Sequence, residues 1–540
     1  MRSISRRQFL KSVGATSCSL SLPGTAGVWG GATKAKAEIH VGARRQLLFD
    51  DFLLHSGNEK LGYQQNVRWT VGPMEKSPAG NLFQADQPWE DDFAWHTVMY
   101  DEGVYRLWYH LSKKTKRQPH LPPEGACVGY AESDDGISWR KPRLKQVERY
   151  GFQQNNIVFT GGPDAWSMEL GNVFRDPVAP PEERYKMLYP CWESNHIYLA
   201  KEGVPYVGEA GVLRGAYSAD GLNWQRYHHL FLGKYTDSQN VATYDPVLGK
   251  YVAYIRTKGQ RGGLDVGDHP VKATSRGRCI ARIESDDFRH WSYPEITLQP
   301  DFQDSLNTQL YNPGYSRYEG ADHAHFMFPS AIYLHNGKLT PQVAVSRDNR
   351  RWLRPTRDPL IAMGPEGSFD EYMIWVSPGF VPVGRDRMAL YYRSANVPHH
   401  GKQLSDRTPQ TGMGRVVFMK DRIVGIEAGE EEGTFLTRSL LFHGGRLLVN
   451  AEPTGPNPQL RVQLVASDVV PVTHPAKGRY LEDEVVQGMA FEDAVPMTDD
   501  EVDGEVRWQS TARLADWAGR RVKLQFRFRS MRIYAFQFMT

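Results

Sequence analysis

Apolar and polar residues alternate with a period of two along most of this chain, and the 3.6-residue period of an amphipathic helix is nearly absent. Such alternation predicts strands buried on one face. Short aromatic runs recur five times behind turn-forming residues, at 104–109, 184–189, 250–255, 325–328 and 387–392. Four of the five are followed by the pattern Ser-x-Asp-x-x-x-Trp. The copies run from Ser133 to Trp139, Ser218 to Trp224, Ser285 to Trp291 and Ser346 to Trp352, with serines 85, 67 and 61 residues apart. The pattern reads as a tight hairpin. Ser and Asp oxygens accept backbone N–H groups, Gly or Asn takes an awkward φ/ψ, and Trp staples the next strand to its neighbour. A residue repeated in every unit has a packing role, so Trp139, Trp224, Trp291 and Trp352 are expected to be largely buried.

Units of 40–80 residues made only of strands predict a β-propeller, and five aromatic strands predict five blades. Residues 45–54 form an early strand expected to close the ring against the last blade. Beyond about residue 430 the pattern changes to clean alternation with fewer Pro and Trp, as in Leu460-Arg461-Val462-Gln463-Leu464. That suits an antiparallel β-sandwich. The acidic linker Gly429-Glu430-Glu431-Glu432-Gly433 marks the expected boundary. The fold expected is therefore all-β, with a five-bladed propeller over 38–428 and a C-terminal sandwich over 429–540.

The ends and the composition add to this picture. Ser5-Arg6-Arg7-Gln8-Phe9-Leu10-Lys11 resembles the twin-arginine export signal of bacteria, and a weakly apolar stretch and Ala35-Lys36-Ala37 follow it. The resemblance implies a cleaved segment over 1–37, the twin-arginine export machinery as a partner, and a mature chain in the periplasm or outside the cell. No apolar run of membrane-spanning length occurs elsewhere, so no membrane anchor is expected in the mature form. Residues 1–37 hold six basic side chains and no acidic one, so the formal charge of +3 becomes −3 without them. No basic stripe remains that would suit nucleic acid. Cys127, Cys191 and Cys279 are too few and too scattered for a disulfide framework or a zinc site. No cofactor motif is present, and none is expected.

The hairpin motif, the five blades and the C-terminal sandwich together resemble the invertase, arabinanase and levanase type of glycoside hydrolase. That resemblance implies carboxylates on the inner strands of adjacent blades, flanking a glycosidic bond. Arg175-Asp176-Pro177 resembles the Arg-Asp-Pro that holds the family's sugar-orienting Asp. Aligning the blades by their aromatic strands sets Asp176 against Asp245 instead, at the far end of the inner strand and entering a hairpin. The same alignment puts Glu169 three residues before Asn172 and Asp237 three before Asn240, where neighbouring inner strands start. Glu169 and Asp237 are the candidate catalytic pair, with Asp176 and Asp92 as further candidate acids. His96, Asn172, Gln239, Asn240, Asn312 and His325 are candidate substrate-binding residues. Trp89, Trp95, Trp166 and Trp375 are candidates to face the channel, where indoles stack on sugar rings. His323 and His325 could both face one way as metal ligands or pore donors, but no third ligand is in view and no metal is expected. His399-His400 reads as an exposed loop pair. The leading expectation is hydrolysis of an external glycan by carboxylate acid–base catalysis. A non-catalytic glycan-binding propeller and a metal-dependent propeller enzyme remain the alternatives.

Overall fold

The computed structural model describes residues 38–540 except 59–60, 91, 113–124, 162–164, 194–211, 230, 234–235, 259–276, 322, 400–407 and 475–477. The expected export signal lies outside the described residues, as do Asp322 and His400. The described residues hold no α-helix, only the single 3-10 turns Pro181–Glu183 and Leu514–Trp517. None of their helices is long and apolar enough to cross a membrane.

Four aromatic-rich antiparallel meanders follow one another, and a fifth completes the ring. Blade one runs Asp92–Asp101, Val104–Ser112, Cys127–Ser133 and Ile157–Thr160. Blade two has its inner strand in two pieces, Ala165–Met168 and Asn172–Arg175. Tyr185–Glu193, Val212–Ser218 and Gln225–Arg226 follow. Blade three runs Val241–Asp245, Lys250–Lys258, Arg278–Ser285 and Glu295–Leu298. In blade four every strand is broken midway: Thr308–Leu310 continues as Ser316–Arg317, His325–Met327 as Ser330–Tyr333, and Lys338–Pro341 as Ala344–Ser346. The outer edge there is a single bridge from Leu353 to Val345. Blade five joins Met373–Val376 and Val381–Val383 to Arg387–Ala395 and Thr411–Met419. Its outer strand is Glu75–Lys76, drawn from the start of the chain. The inner strand of blade one touches blade two on one side and blade five on the other, and each remaining pair of neighbours is also in contact.

Residues 45–54 therefore do not close the ring. Gln46–Leu47 pairs with Met531–Met539 and Leu54–His55 with Gly433–Thr437, both in the sandwich. The reason lies in a segment that is apolar on both faces. Leu47 and Phe49 enter a core with Phe326 and Phe328 of blade four, while Leu48, Leu53 and Leu54 enter the sandwich core. An outer blade strand would leave one of those faces in water. Arg347, from the fourth hairpin, clasps this seam with a forked bond to Asp50 at 2.7–3.0 Å and lies 4.4 Å over the Phe49 ring.

The sandwich packs a sheet built around Val522–Arg529 against one built around Met531–Met539. Phe442 and Phe538 stack between the two at 4.0 Å. Ile39–Gly42, Gln46–Leu47, Leu54–His55, Arg68–Val71 and Val424–Ala428 all pair within these sheets. Strand pairing thus assigns 39–71 and 424 onward to the sandwich, where the sequence suggested a single boundary at 428/429. The acidic linker is a tight connection inside the sandwich, because its flanking strands both pair there.

Each Ser-x-Asp hairpin is the same object. In the first copy Ser133 Oγ accepts the N–H groups of Asp135 and Gly136, and Asp135 Oδ1 accepts those of Ile137 and Ser138, at 2.7–3.3 Å. The fourth residue of each motif has positive φ: Gly136 at 69°, Gly221 at 77°, Phe288 at 62° and Asn349 at 52°. That conformation turns its carbonyl toward the preceding blade. Trp108 Nε1 donates to Gly221 O at 2.7 Å, Tyr254 OH to Asn349 O at 2.7 Å, and Tyr391 OH to Gly136 O at 2.8 Å. Between blades two and three the Phe288 ring takes over this role, packed on Phe174 and Tyr251. The motif is a lock between blades as well as a turn. Its tryptophans divide into two kinds: Trp291 and Trp352 are buried, while Trp139 and Trp224 are half-buried beside the outer strands. A Cβ on Gly221 would stand 2.7 Å from the Trp108 indole at a φ that only glycine adopts freely. Gly221→Ala is therefore expected to cost roughly 2–4 kcal/mol in urea unfolding, from strain and overpacking together. A loss under about 0.5 kcal/mol would show that the lock carries little load.

Candidate functional site

The inner strands of all five blades run from one end of the channel, and residues in or next to their opening segments meet there. Blade one brings Trp95, blade two Glu169, blade three Asp237, blade four Tyr311 and blade five Trp375. Trp95 Nε1 donates to Glu169 Oε2 at 3.1 Å. The rings of Trp95 and Trp375 meet edge to face at 5.9 Å, and Tyr311 lies 6.2 and 6.3 Å from them. Blades one and four are not neighbours, so the Trp95–Tyr311 contact spans the axis.

A buried polar layer also spans it. Gln239 of blade three donates through Nε2 to the His96 carbonyl of blade one at 2.7 Å, and His96 Nε2 meets Ser377 Oγ of blade five at 3.0 Å. His96 and Gln239 are almost wholly buried. Burial holds the His96 imidazole down to about 3, so it is neutral. These two residues bridge blades across the axis and are not placed to grip a ligand's hydroxyls.

The acids sit where they do because of two local devices. The inner strand of blade two breaks after Met168, yet Glu169 N and Gly171 N still bond to Pro190 O and Leu188 O, both at 3.0 Å. Gly171 presses against the next blade so closely that a Cβ would lie 2.7 Å from Asn240 O. That approach brings segment 169–172 against segment 237–240. In the latter, Asn240 Nδ2 clamps its own turn through Thr236 and Ser238, and its Oδ1 accepts Arg256 N. Asp237 stands on this turn with a side chain 39% exposed, ion-paired to Arg256 Nη1 at 3.0 Å.

Asn172 and Asn312, at the same repeat position, stitch blades together. Asn172 exchanges two bonds with the Ala242 backbone at 2.8 and 2.9 Å, and Asn312 donates to Val376 O at 3.3 Å. Asn172 and Asn240 are thus used up on the backbone and on their own turn, and Asn312 spends its Nδ2 on the backbone while its Oδ1 is buried without a hydrogen-bond partner.

Burial pushes the Glu169 carboxyl up to about 7, and the charge of Asp237 pushes the same way. The Trp95 N–H, Arg256 and Arg393 only partly oppose this. Tyr311 is raised to about 12 by burial and by the charges of Asp237 and Glu169, so it remains a phenol and a donor. The result is a protonated carboxyl near a carboxylate, over a floor of indoles. A bond cleaved by proton transfer to its leaving oxygen needs such a pair.

The other expected site residues lie elsewhere. Asp176 enters the hairpin after the inner strand. There it accepts Val178 N at 3.1 Å and Tyr251 OH at 2.7 Å, with Lys186 Nζ at 3.4 Å. Seven residues of strand separate it from Glu169, roughly 20 Å at about 3.3 Å each. His325 is buried at the same far end, paired with Ser346 and bonded to Tyr315 OH at 3.0 Å, and burial lowers it to about 4. His323 is exposed in a turn there. Asp92 is exposed at the head of blade one, and its charge acts on Arg393 at the rim. Trp89 turns away to bond Asn156 Oδ1 at 2.8 Å. The side chain of Trp166 lies outside the described residues. His399 is half-buried against Tyr311 at 5.4 Å, not exposed in a loop.

Sequence reasoning missed Tyr311, Arg256, Arg278 and Arg393. A signal was present. Arg256 and Arg393 sit six residues after Lys250 and Arg387, the first residues of equivalent strands, as His110 does after Val104. Among the described residues no group of three or more His, Cys, Asp or Glu could hold a metal ion. Cys127, Cys191 and Cys279 are all buried.

No protein-family model matches the chain, and no curated protein matches it by sequence. Several solved structures resemble it in part. One is an N-acetylgalactosamine deacetylase from F. plautii in complex with blood group B trisaccharide. It is 15% identical over 65% of this chain and 96% of that one, with a TM-score of 0.43. A glycosyl hydrolase from Bacteroides ovatus is 14% identical over 66% and 95%, with a TM-score of 0.42. A β-1,2-mannobiose phosphorylase from Listeria innocua, bound to β-1,2-mannobiose, is 11% identical over 64% and 96%, with a TM-score of 0.42. At these scores the likeness is a loose one of fold and carries no weight for activity.

Proposed function

We propose that this protein is a glycan-active enzyme that cleaves a glycosidic bond at the end of the propeller channel where Glu169 and Asp237 meet. The observation that carries this reading is the elevated Glu169 carboxyl, anchored by Trp95 and raised by burial and by Asp237. Glu169 is the general acid and delivers its proton to the leaving oxygen. Asp237, steadied by Arg256, is the opposing carboxylate, acting on the anomeric carbon directly or through water. A gap near 5 Å between the carboxyls suits the direct route with retention, and about 6.5–9.5 Å suits inversion. Trp95 and Trp375 offer an apolar floor for a sugar ring, and Tyr311 offers a phenol donor. The exported, periplasmic or secreted setting inferred from Arg6-Arg7 belongs to the same proposal. A panel of glycans scored for released reducing ends tests it, and no release from any of them by purified protein would count against it.

Two results should follow on whichever glycan is cleaved. An acid that must be protonated loses effect above its own midpoint, so kcat/KM should fall about tenfold per unit above pH 7. Glu169→Gln should lower kcat/KM by about 10²–10⁴ and abolish that limb, with Asp176→Asn retaining the wild-type pH profile. A pH-independent rate from pH 6 to 9 in the wild type would remove Glu169 from the acid role.

The second result needs no substrate. The folded chain holds Glu169 above the 4.5 of an unfolded glutamate. The fold therefore binds this proton more tightly than the unfolded chain, and stability falls as pH rises from about 4.5 to 7. Glu169→Gln removes the penalty and keeps an acceptor for Trp95. It is expected to raise stability by up to about 3 kcal/mol at pH 8 and by almost nothing at pH 4. Equal effects at both pH values would contradict the shifted carboxyl.

A further inference from the structure

Arg393 is a cation that the proposed chemistry does not use. Its guanidinium lies 4.6 Å over the Trp375 ring and 5.2 Å over the Trp95 ring, half-buried beside the acid pair. Among the described residues it forms no ion pair, and its Nε is buried without a hydrogen-bond partner. Arg278 stands nearby, 5.0 Å over the Tyr311 ring, with its Nη1 bonded only to the neutral Gln309 at 2.7 Å. A guanidinium held over two indole rings is fixed in place by them, and the donors along its edge suit a planar, two-oxygen acceptor.

We propose that Arg393 is the anchor for an oxyanion of the bound glycan, the carboxylate of an acidic sugar, with Arg278 adding positive potential across the same opening. Desolvation disfavours the charged guanidinium. The groups whose charges act on it are Tyr311, Glu169 and Asp92. Near neutral pH Tyr311 is a phenol and Glu169 is half or more protonated at and below pH 7, so the exposed Asp92 is left as the main negative charge acting on Arg393. An incoming carboxylate supplies the missing charge. This inference rests on the reading that a glycan occupies the channel mouth, and it deepens that reading by naming an acidic glycan.

The test is equilibrium binding by calorimetry, without turnover. The probes are methyl glycosides of glucuronate and galacturonate, each against its own methyl ester, which keeps the ring and loses the charge. Inorganic phosphate is the free-oxyanion arm. The acid forms should bind at least about tenfold tighter than the esters, and added salt should narrow the gap. Arg393→Gln should abolish the preference, and Arg393→Lys should leave only part of it, because an ammonium lacks the planar fork. Phosphate that displaces the glucuronide makes a free anion the source of the shared chemistry, and phosphate that does not assigns the site to the sugar carboxylate. Acid and ester binding within twofold in the wild type overturns the proposal, as does a preference that survives Arg393→Gln, or no detectable binding of any anion. The wild-type acid–ester comparison stands even if Arg393→Gln fails to fold. A wild type that cleaves no glycan yet shows the Arg393-dependent preference would sink the hydrolytic reading alone.

Discussion

An aromatic donor from one blade, reaching the carbonyl of a left-handed residue in the next blade's hairpin, is the contact on which the ring depends. Trp108 on Gly221, Tyr254 on Asn349 and Tyr391 on Gly136 set the spacing between neighbours at three of the seams. Each bond is worth only about 1 kcal/mol, but the bonds are directional where hydrophobic packing is not. The Asn172 and Asn312 stitches repeat the constraint nearer the axis. Fixed spacing lets five inner strands begin at one level. Trp95, Glu169, Asp237, Tyr311 and Trp375 can then converge from five blades, with Asp237 held on the short turn that Asn240 clamps.

The electrostatics follow from that convergence. Gln239, His96 and Ser377 cross the axis as a buried hydrogen-bonded layer, so the mouth has a neutral, dehydrated floor. A carboxyl set on such a floor near another carboxylate is driven toward its protonated form. The fold spends stability on this arrangement, as functional sites commonly do. The same dehydration leaves Arg393 as a cation short of charge, and it explains why acid and cation belong to one device.

Much of this was legible in the sequence, for identifiable reasons. The hairpins announce themselves because Ser, Asp and a positive-φ residue are each required by the turn. Phase within the repeat puts Glu169 and Asp237 at strand starts and Asp176 at a strand end, since residue number along a strand is distance along the axis. Phase also misled. Asn172, Asn240 and Asn312 recur for the sake of the backbone, as the Trp residues of the hairpins recur for packing. The ring closure was hidden because Glu75–Lys76 is a two-residue strand with no pattern, while residues 45–54, apolar on both faces, looked the better strand. Arg256 and Arg393 were visible only by comparing second strands at equal offsets, and the eye is drawn there to aromatics.

The central claim is that Glu169 holds a proton near neutral pH because Asp237 and burial oppose its charge. It is tested most directly by titrating that carboxyl, as the infrared difference between wild type and Glu169→Gln across pH 4 to 9. The midpoint expected is near 7, moving toward the ordinary glutamate range in an Asp237→Asn background. A wild-type midpoint below 5, or one that Asp237→Asn leaves in place, would contradict the account.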